Sequence, residues 1–292
     1  MDPNPAGPAV ATADVVRAAA RAFERDRYLA ALLAPRGVRG DLIAIAAFAG
    51  EVARTSGYVS EAMIGEIRLQ WWRDAVARIG SSGGEVTGNP IADALGRAVR
   101  RFELPIRLLN DVIDAESAHV ADSVPFVDWG ALMANLSATH ASLFELACRV
   151  LVRDRATDVP LDLIVHAGKA YGLARTLVEM PAVLSQGRIR LPADRLDAHR
   201  LDVRALRAGE GAAGLAAVSS EAAGHAREHL EIVRNLWRGL SEPERVALAP
   251  VALVRPYLSA CQMHMGRLRE IVDIAPLTRV WRIWRAARLG WA

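Results

Sequence analysis

Ile67-Arg68-Leu69-Gln70-Trp71-Trp72-Arg73-Asp74 and Gly187-Arg188-Ile189-Arg190-Leu191-Pro192-Ala193-Asp194 are the stretches on which the fold is read. The first lies in a run with helical spacing, from about Glu61 to Ile79. The second has a Gly and a Pro at its ends and no cap, so it reads as extended or irregular. Around them Ala, Leu, Arg and Glu recur with helical periodicity, and β-branched alternation is nearly absent. Further helices are expected from about Asp14 to Leu33, where Ala34-Pro35 stops the run, and from about Arg39 to Arg54. Gly80-Ser81-Ser82-Gly83-Gly84 is a loop. Asn89-Pro90 opens a helix with Asn as cap. Leu104-Pro105 starts another, through about Ala121. Val127 to Val152 reads as one long helix, and Asp158-Val159-Pro160 begins one that Pro181 interrupts beyond Glu179. Ser241 and Glu244 form a capping box.

The pattern describes an all-α chain of 292 residues, 52% of them hydrophobic, enough for a large core. A flexible tail over residues 1–13 and one helical domain over 14–292 are expected. No repeat is visible, and no linker divides the chain. Net charge is +3 and the charges are mixed along the sequence, which argues against nucleic acid as a partner. The cationic residues are arginines apart from Lys169. Cys148 and Cys261 belong to no metal-ligand pattern, and a reducing, cytoplasmic compartment fits them. Residues 1–13 do not read as a signal peptide. The best continuous apolar run, Leu42 to Ala49, is too short to span a bilayer.

Several segments carry a resemblance. Arg25-Asp26-Arg27-Tyr28-Leu29, then Pro35, Leu42 to Phe48, Glu51 and Ala53, resemble the opening of squalene and phytoene synthases. So do the paired-Trp stretch, Gly168 to Thr176, and the Gly-Arg-x-x-Leu-Pro stretch. The resemblance runs from about Asp14 onward and implies an isoprenoid synthase-like helical bundle around a central cavity. Active members of that family join prenyl diphosphates head to head, using two Asp-x-x-x-Asp motifs. Residues four apart share one helix face, so two such helices present carboxylates to Mg²⁺ across the cavity, and the metal neutralises the departing diphosphate.

This chain departs from that pattern. The first motif's acidic positions fall on Ala53, Arg54 and Gly57, with Glu51 upstream. The second falls on Glu179 and Val183, with Pro181 between them. One carboxylate of the set survives, Glu179. The departure resembles a branch that contains a mitochondrial assembly factor for respiratory complex I and bacterial relatives with degenerate motifs. What the branch implies is an assembly or isoprenoid- or lipid-binding factor without prenyl transfer activity and without a cofactor, whose partners include respiratory-complex subunits. The alternative is an active head-to-head prenyltransferase with atypical Mg²⁺ ligands.

The residues expected at a cavity or anion site are Glu51, Arg54, Arg175, Glu179 and Arg188. Lys169 and Tyr171, on the same helix as Arg175, read either as ordinary polar positions or, with Arg175, as remnants of an anion-binding cavity. Asp111, Asp114 and Glu116 read as a solvated face opposite Leu108, Leu109, Val112 and Ile113. His225-Ala226-Arg227-Glu228-His229 matches an inverted-zincin pattern, but with no third ligand it reads as a polar helix surface. Trp71 and Trp72 read as core and groove anchors, with Arg73 reaching outward. In the C-terminal tail, 278–292, Val280, Trp281, Trp284, Ala287 and Trp291 fall on one helical stripe beside several arginines. That stripe either packs on the protein or meets a membrane surface through Trp281, Trp284, Arg285 and Trp291. Peripheral attachment at the inner face of the cytoplasmic membrane is the corresponding location.

Overall fold

The computed structural model describes residues 8–58, 62–81, 87–121, 124, 126–152, 159–263, 270 and 272–290. Among them the chain forms fifteen α-helices and no strand. Leu42 to Ala49 is apolar at every helical position, so it can be stable only where neighbours cover it on all sides. It forms the middle of α3 (Arg36–Tyr58), and all eight of its residues are buried. Around α3 pack α1 (Pro8–Phe23), α2 (Arg25–Leu33), α5 (Pro90–Phe102), α6 (Ile106–Ala121) and α8 (Ser142–Leu151). α4 (Ala62–Gly80) lies on α6; its Trp72 meets Phe48 edge-on at 5.2 Å and Trp71 at 5.0 Å. The second central helix is α9 (Leu161–Ser185). It packs on α12 (Ala212–Trp237), on α14 (Val254–Met263) and on a π-helical turn, Ser137–Ala141, that links α7 (Trp129–Leu136) to α8.

The local end signals act as expected. Asn89 accepts from the amides of Ile91 and Ala92 at 2.9 and 3.1 Å. At the start of α13 (Glu242–Leu248), the Ser241 amide donates to Glu244 at 2.6 Å. Residues 188–190 are irregular, and Gly187 takes φ +75. Buried Ile189 and Leu191 anchor this segment, whose end is fixed by Ala193 N to Phe126 O at 2.8 Å.

Five expectations need correction. The first helix begins at Pro8, so residues 8–13 are helical rather than a loose tail. It then breaks at Glu24, φ −130 and ψ 56, which turns that carboxylate inward. The helix expected from Val127 to Val152 starts after the cap Asp128 and contains the π turn. Pro181 does not end α9; buried Met180 and Leu184 hold the last turn in place. Leu42 to Ala49 is not the best membrane-length candidate either. Glu242–Met263, comprising α13, a 3-10 turn and α14, is long and apolar enough by length and composition, but 67% of its apolar window is buried, as in a core helix. The expected tail 1–7, most of the 80–84 loop and Asp158 lie outside the described residues.

The π turn lies close against two glycines of α9. A Cβ on Gly168 would stand 2.6 Å from the Ala141 nitrogen, and one on Gly172 would stand 2.5 Å from His140 Cδ2. The extra residue in the turn directs Thr139 and His140 at the space between α3 and α9.

Candidate functional site

The space between the two central helices is a cavity of about 50 Å³. α3 contributes Ala49 and Ala53, facing Gly172, Arg175, Thr176 and Glu179 of α9. The opposed helices inferred from sequence are therefore present, but the gap is small. A water needs about 10–15 Å³ of such space, whereas a pocket for an organic ligand has about 300–1,000 Å³. The cavity has room for a few waters.

A network of polar side chains lines and adjoins the cavity. Arg175 Nε donates to Glu179 Oε1 at 2.8 Å, and its Nη1 donates to the Tyr171 hydroxyl at 3.0 Å. Arg190 reaches Glu179 Oε2 at 3.3 Å. Arg27 pairs with Glu24 at 2.8 Å, and both are buried. Asp26, 1% exposed, accepts from the hydroxyls of Tyr171 at 2.7 Å and Tyr257 at 2.6 Å. Arg279, from α15 (Pro276–Leu289), places Nε 2.9 Å from the other Asp26 oxygen and donates to Asp273. Four guanidinium groups, those of Arg27, Arg175, Arg190 and Arg279, thus face four carboxylates, those of Glu24, Asp26, Glu179 and Asp273. Burial of a charge is tolerable only with such pairing.

The environment sets protonation accordingly. Burial would raise Glu179, but Arg175 and Arg190 outweigh it and hold the carboxyl below its ordinary value. Burial, then Asp26, pushes the Tyr171 hydroxyl well up, and Tyr257 moves the same way for the same reasons, so both are donors. His119 and His140 lie well below the ordinary imidazole value, through burial first and neighbouring arginines second. Both are neutral near pH 7. His140 Nδ1 stands 3.3 Å from Arg27.

Of the residues singled out in the sequence, Arg175 and Glu179 line the cavity and bind each other. Glu51 and Arg54 pair at 2.9 Å, and Arg54 lies over the Phe23 ring on the α1 side of α3. Arg188 donates to the His119 carbonyl at 2.8 Å. These three are not among the cavity-lining residues. Tyr171 is no ordinary polar position but a fully buried one. Glu116 is not on the solvated face; it is 4% exposed and lines the cavity, whereas Asp114 is exposed and pairs with Arg73 at 3.0 Å. His229 bonds His166 across the α9–α12 contact, Nδ1 to Nδ1 at 2.7 Å, and His225 lies against Trp129.

The C-terminal stripe is displaced from its expected position. α15 buries Arg279, Ile283, Ala286 and Ala287, while Val280, Trp281 and Trp284 stay exposed at 48%, 48% and 43%. In this rotation Arg279 faces inward to Asp26, beside Ile283, Ala286 and Ala287. Trp291 lies outside the described residues.

A Mg²⁺ cluster does not fit this donor set. Ala53 and Val183 offer no oxygen, Arg54 is cationic, and the Glu179 carboxylate is engaged by two arginines. Among the described residues no group of three or more His, Cys, Asp or Glu side chains is placed to hold a metal.

Comparison with known proteins agrees with the fold. The chain is 28% identical over 271 residues to NADH dehydrogenase (ubiquinone) complex I, assembly factor 6, of Bos taurus, covering 91% of this chain and 80% of that one. It is 30% identical over 265 residues to the bifunctional protein CrtB/UppS of Streptomyces coelicolor, covering 87% of this chain and 43% of the other. Among solved structures, squalene synthase HpnC from Alicyclobacillus acidocaldarius superposes with a TM-score of 0.72 at 17% identity, over 88% of this chain and 95% of that one. Residues 20–280 match the squalene/phytoene synthase family, and the chain belongs to that family.

Proposed function

We infer that this chain is a non-catalytic member of the family, acting as an assembly factor for a membrane-bound respiratory complex. One observation carries the reading: where the catalytic motifs would place their acids, this chain has Ala53, Arg54, Gly57 and Val183, and the remaining Glu179 is neutralised by Arg175 and Arg190. Head-to-head condensation expels diphosphate, whose charge needs a metal or unpaired cations in a cavity large enough for two prenyl chains. Here the cations are paired and the cavity is about 50 Å³. The mammalian relatives named as complex I assembly factor 6 support the assembly role. In this reading the partner is a respiratory-complex subunit, and the working location is the inner face of the cytoplasmic membrane. No isoprenoid need occupy the old cavity.

Incubation of the purified chain with labelled farnesyl or geranylgeranyl diphosphate and Mg²⁺ tests the first half. The expected result is recovery of unreacted substrate. Metal-dependent squalene, phytoene or a cyclopropyl diphosphate would restore the alternative of an active prenyltransferase. Co-purification from a respiring host tests the second half: complex I subunits are the expected partners, and their absence from a stable, folded preparation counts against the assembly role.

A further inference from the structure

A groove of about 480 Å³ lies at the base of the bundle, where α2 ends, α3 and α13 begin, and α8 and α15 finish. It shares no lining residue with the central cavity. Its floor is apolar, from Leu32, Leu33, Leu151 and Val246, and arginines 36, 39 and 288 stand around it. Their states differ. Arg288 is held by Glu242 and by the Leu33 carbonyl. Arg39 spends one Nη on the Ala34 carbonyl, while its Nε is buried without a partner. Arg36 is exposed and makes no ion pair or hydrogen bond among the described residues. The groove therefore carries excess positive charge beside apolar surface, and the first turn of α3 adds the positive end of a helix dipole.

Two residues of the floor also border further apolar space. Leu151 and Val246 line a second, smaller apolar cavity of about 30 Å³, among Ala31, Ile45, Phe144 and Ala147. Arg27, which stacks over Phe144 and pairs with Glu24, also lines that cavity. A ligand suited to this arrangement has charge at one end and hydrocarbon behind it.

We propose that the basal groove binds a single-chain anionic amphiphile, its carboxylate or phosphate head on Arg36 and Arg39 and its chain over Leu32, Leu33, Leu151 and Val246. Guanidinium groups recognise both head types through paired, charge-assisted hydrogen bonds. The proposal is independent of whether the central cavity is catalytic.

The test uses the full chain and a fluorescent fatty acid, displaced by dodecanoate, dodecyl phosphate or dodecanol below their micelle concentrations. At least one anionic competitor should outperform the alcohol by about tenfold or more, the effect of one charge-assisted contact. Whichever anion is stronger identifies the head. Arg36→Glu should weaken the probe by a similar factor with no loss of melting temperature, because Arg36 has no partner to lose and an acid suits the first turn of α3. Leu33→Trp, which narrows the floor, should weaken anion and alcohol alike. No probe binding, equal competition by dodecanol, or full affinity in folded Arg36→Glu protein would each overturn the proposal.

Discussion

Arg279 Nε lies 2.9 Å from Asp26 Oδ1, with both side chains almost wholly buried, and this pair ties α15 to α2. Breaking a buried pair from one side leaves the other charge without compensation, at a cost of about 3–5 kcal/mol. Arg279→Met should therefore lower stability by that order in urea denaturation and release α15 to protease. The Asp26→Asn, Arg279→Met double variant should lose less than the sum of the single losses. A single variant that melts like the parent would show that α15 is held by its alanines and Ile283 alone.

The close crossing of α9 over the π turn yields a second expectation. Gly168→Ala places a methyl 2.6–2.8 Å from Ala141, including its backbone, and overpacking of this kind costs about 1–3 kcal/mol. Gly224→Ala, in α12 with open space around it, should be neutral or stabilising by up to about 1 kcal/mol. Thermal melts of the two variants should move in opposite directions or differ clearly. Equal melts would mean that the π turn yields without cost.

These two sites also show where sequence reading reaches and where it stops. The Asn89 cap and the Ser241–Glu244 box are set by neighbours in sequence, and Gly187 and Pro192 mark the irregular 187–192 segment locally, so these are legible. The break at Glu24 and the π turn involve partners outside the local sequence: Arg175, whose guanidinium lies 3.7 Å from Glu24, and Gly168 and Gly172, about 30 positions beyond Ala141 and His140. No local pattern records them. Glu116 and Arg279 do carry a local signal. Glu116 follows Val112 by four and Ile113 by three, placing it on the apolar face. Arg279 precedes Ile283 by four and Ala286 by seven. A charge on an otherwise buried face implies a buried partner, and Asp26 lay inside the Arg-Asp-Arg-Tyr-Leu string that identified the family.

Stability should fall with acid before the carboxylates titrate. His229 is held down to about 4 from the ordinary 6.5, by burial first and then by His166 and Lys169. His166 is lowered too, by burial and Lys169, with Asp162 opposing. Around the pair stand Asp162 and Lys169 on α9, and His225 and Glu228 on α12. Above pH 6.5 these imidazoles are neutral whether the chain is folded or not. As pH falls from 6.5 toward 4 the unfolded chain takes up protons that the folded pair refuses, so stability is lost across that window. Urea midpoints at pH 7.5 and pH 5 should differ, and His229→Gln should reduce the difference without abolishing it, since His119 and His140 are also held neutral. Identical midpoints for the parent chain would refute the expectation.

The outer face of α15 bears on membrane attachment. Leu277, Val280, Trp281 and Trp284 are exposed, and the guanidinium groups of Arg282 and Arg285 lie 5.4 and 5.1 Å from the Trp281 ring. Indole rings settle at the boundary of water and lipid, and each arginine near an anionic surface adds about 1 kcal/mol. The parent chain should float with anionic liposomes, and the bound fraction should fall as salt rises. Removing the whole helix would be an ambiguous control, because it strips Arg279 from Asp26 and endangers the fold. Trp281→Ser with Trp284→Ser is the better variant, since both side chains point away from the core. It should keep the parent's helix content and melting temperature while losing most flotation. Flotation that persists in this variant would place lipid contact elsewhere. A parent chain that never floats would leave the exposed tryptophans for a protein partner, whose binding the same double variant should then weaken.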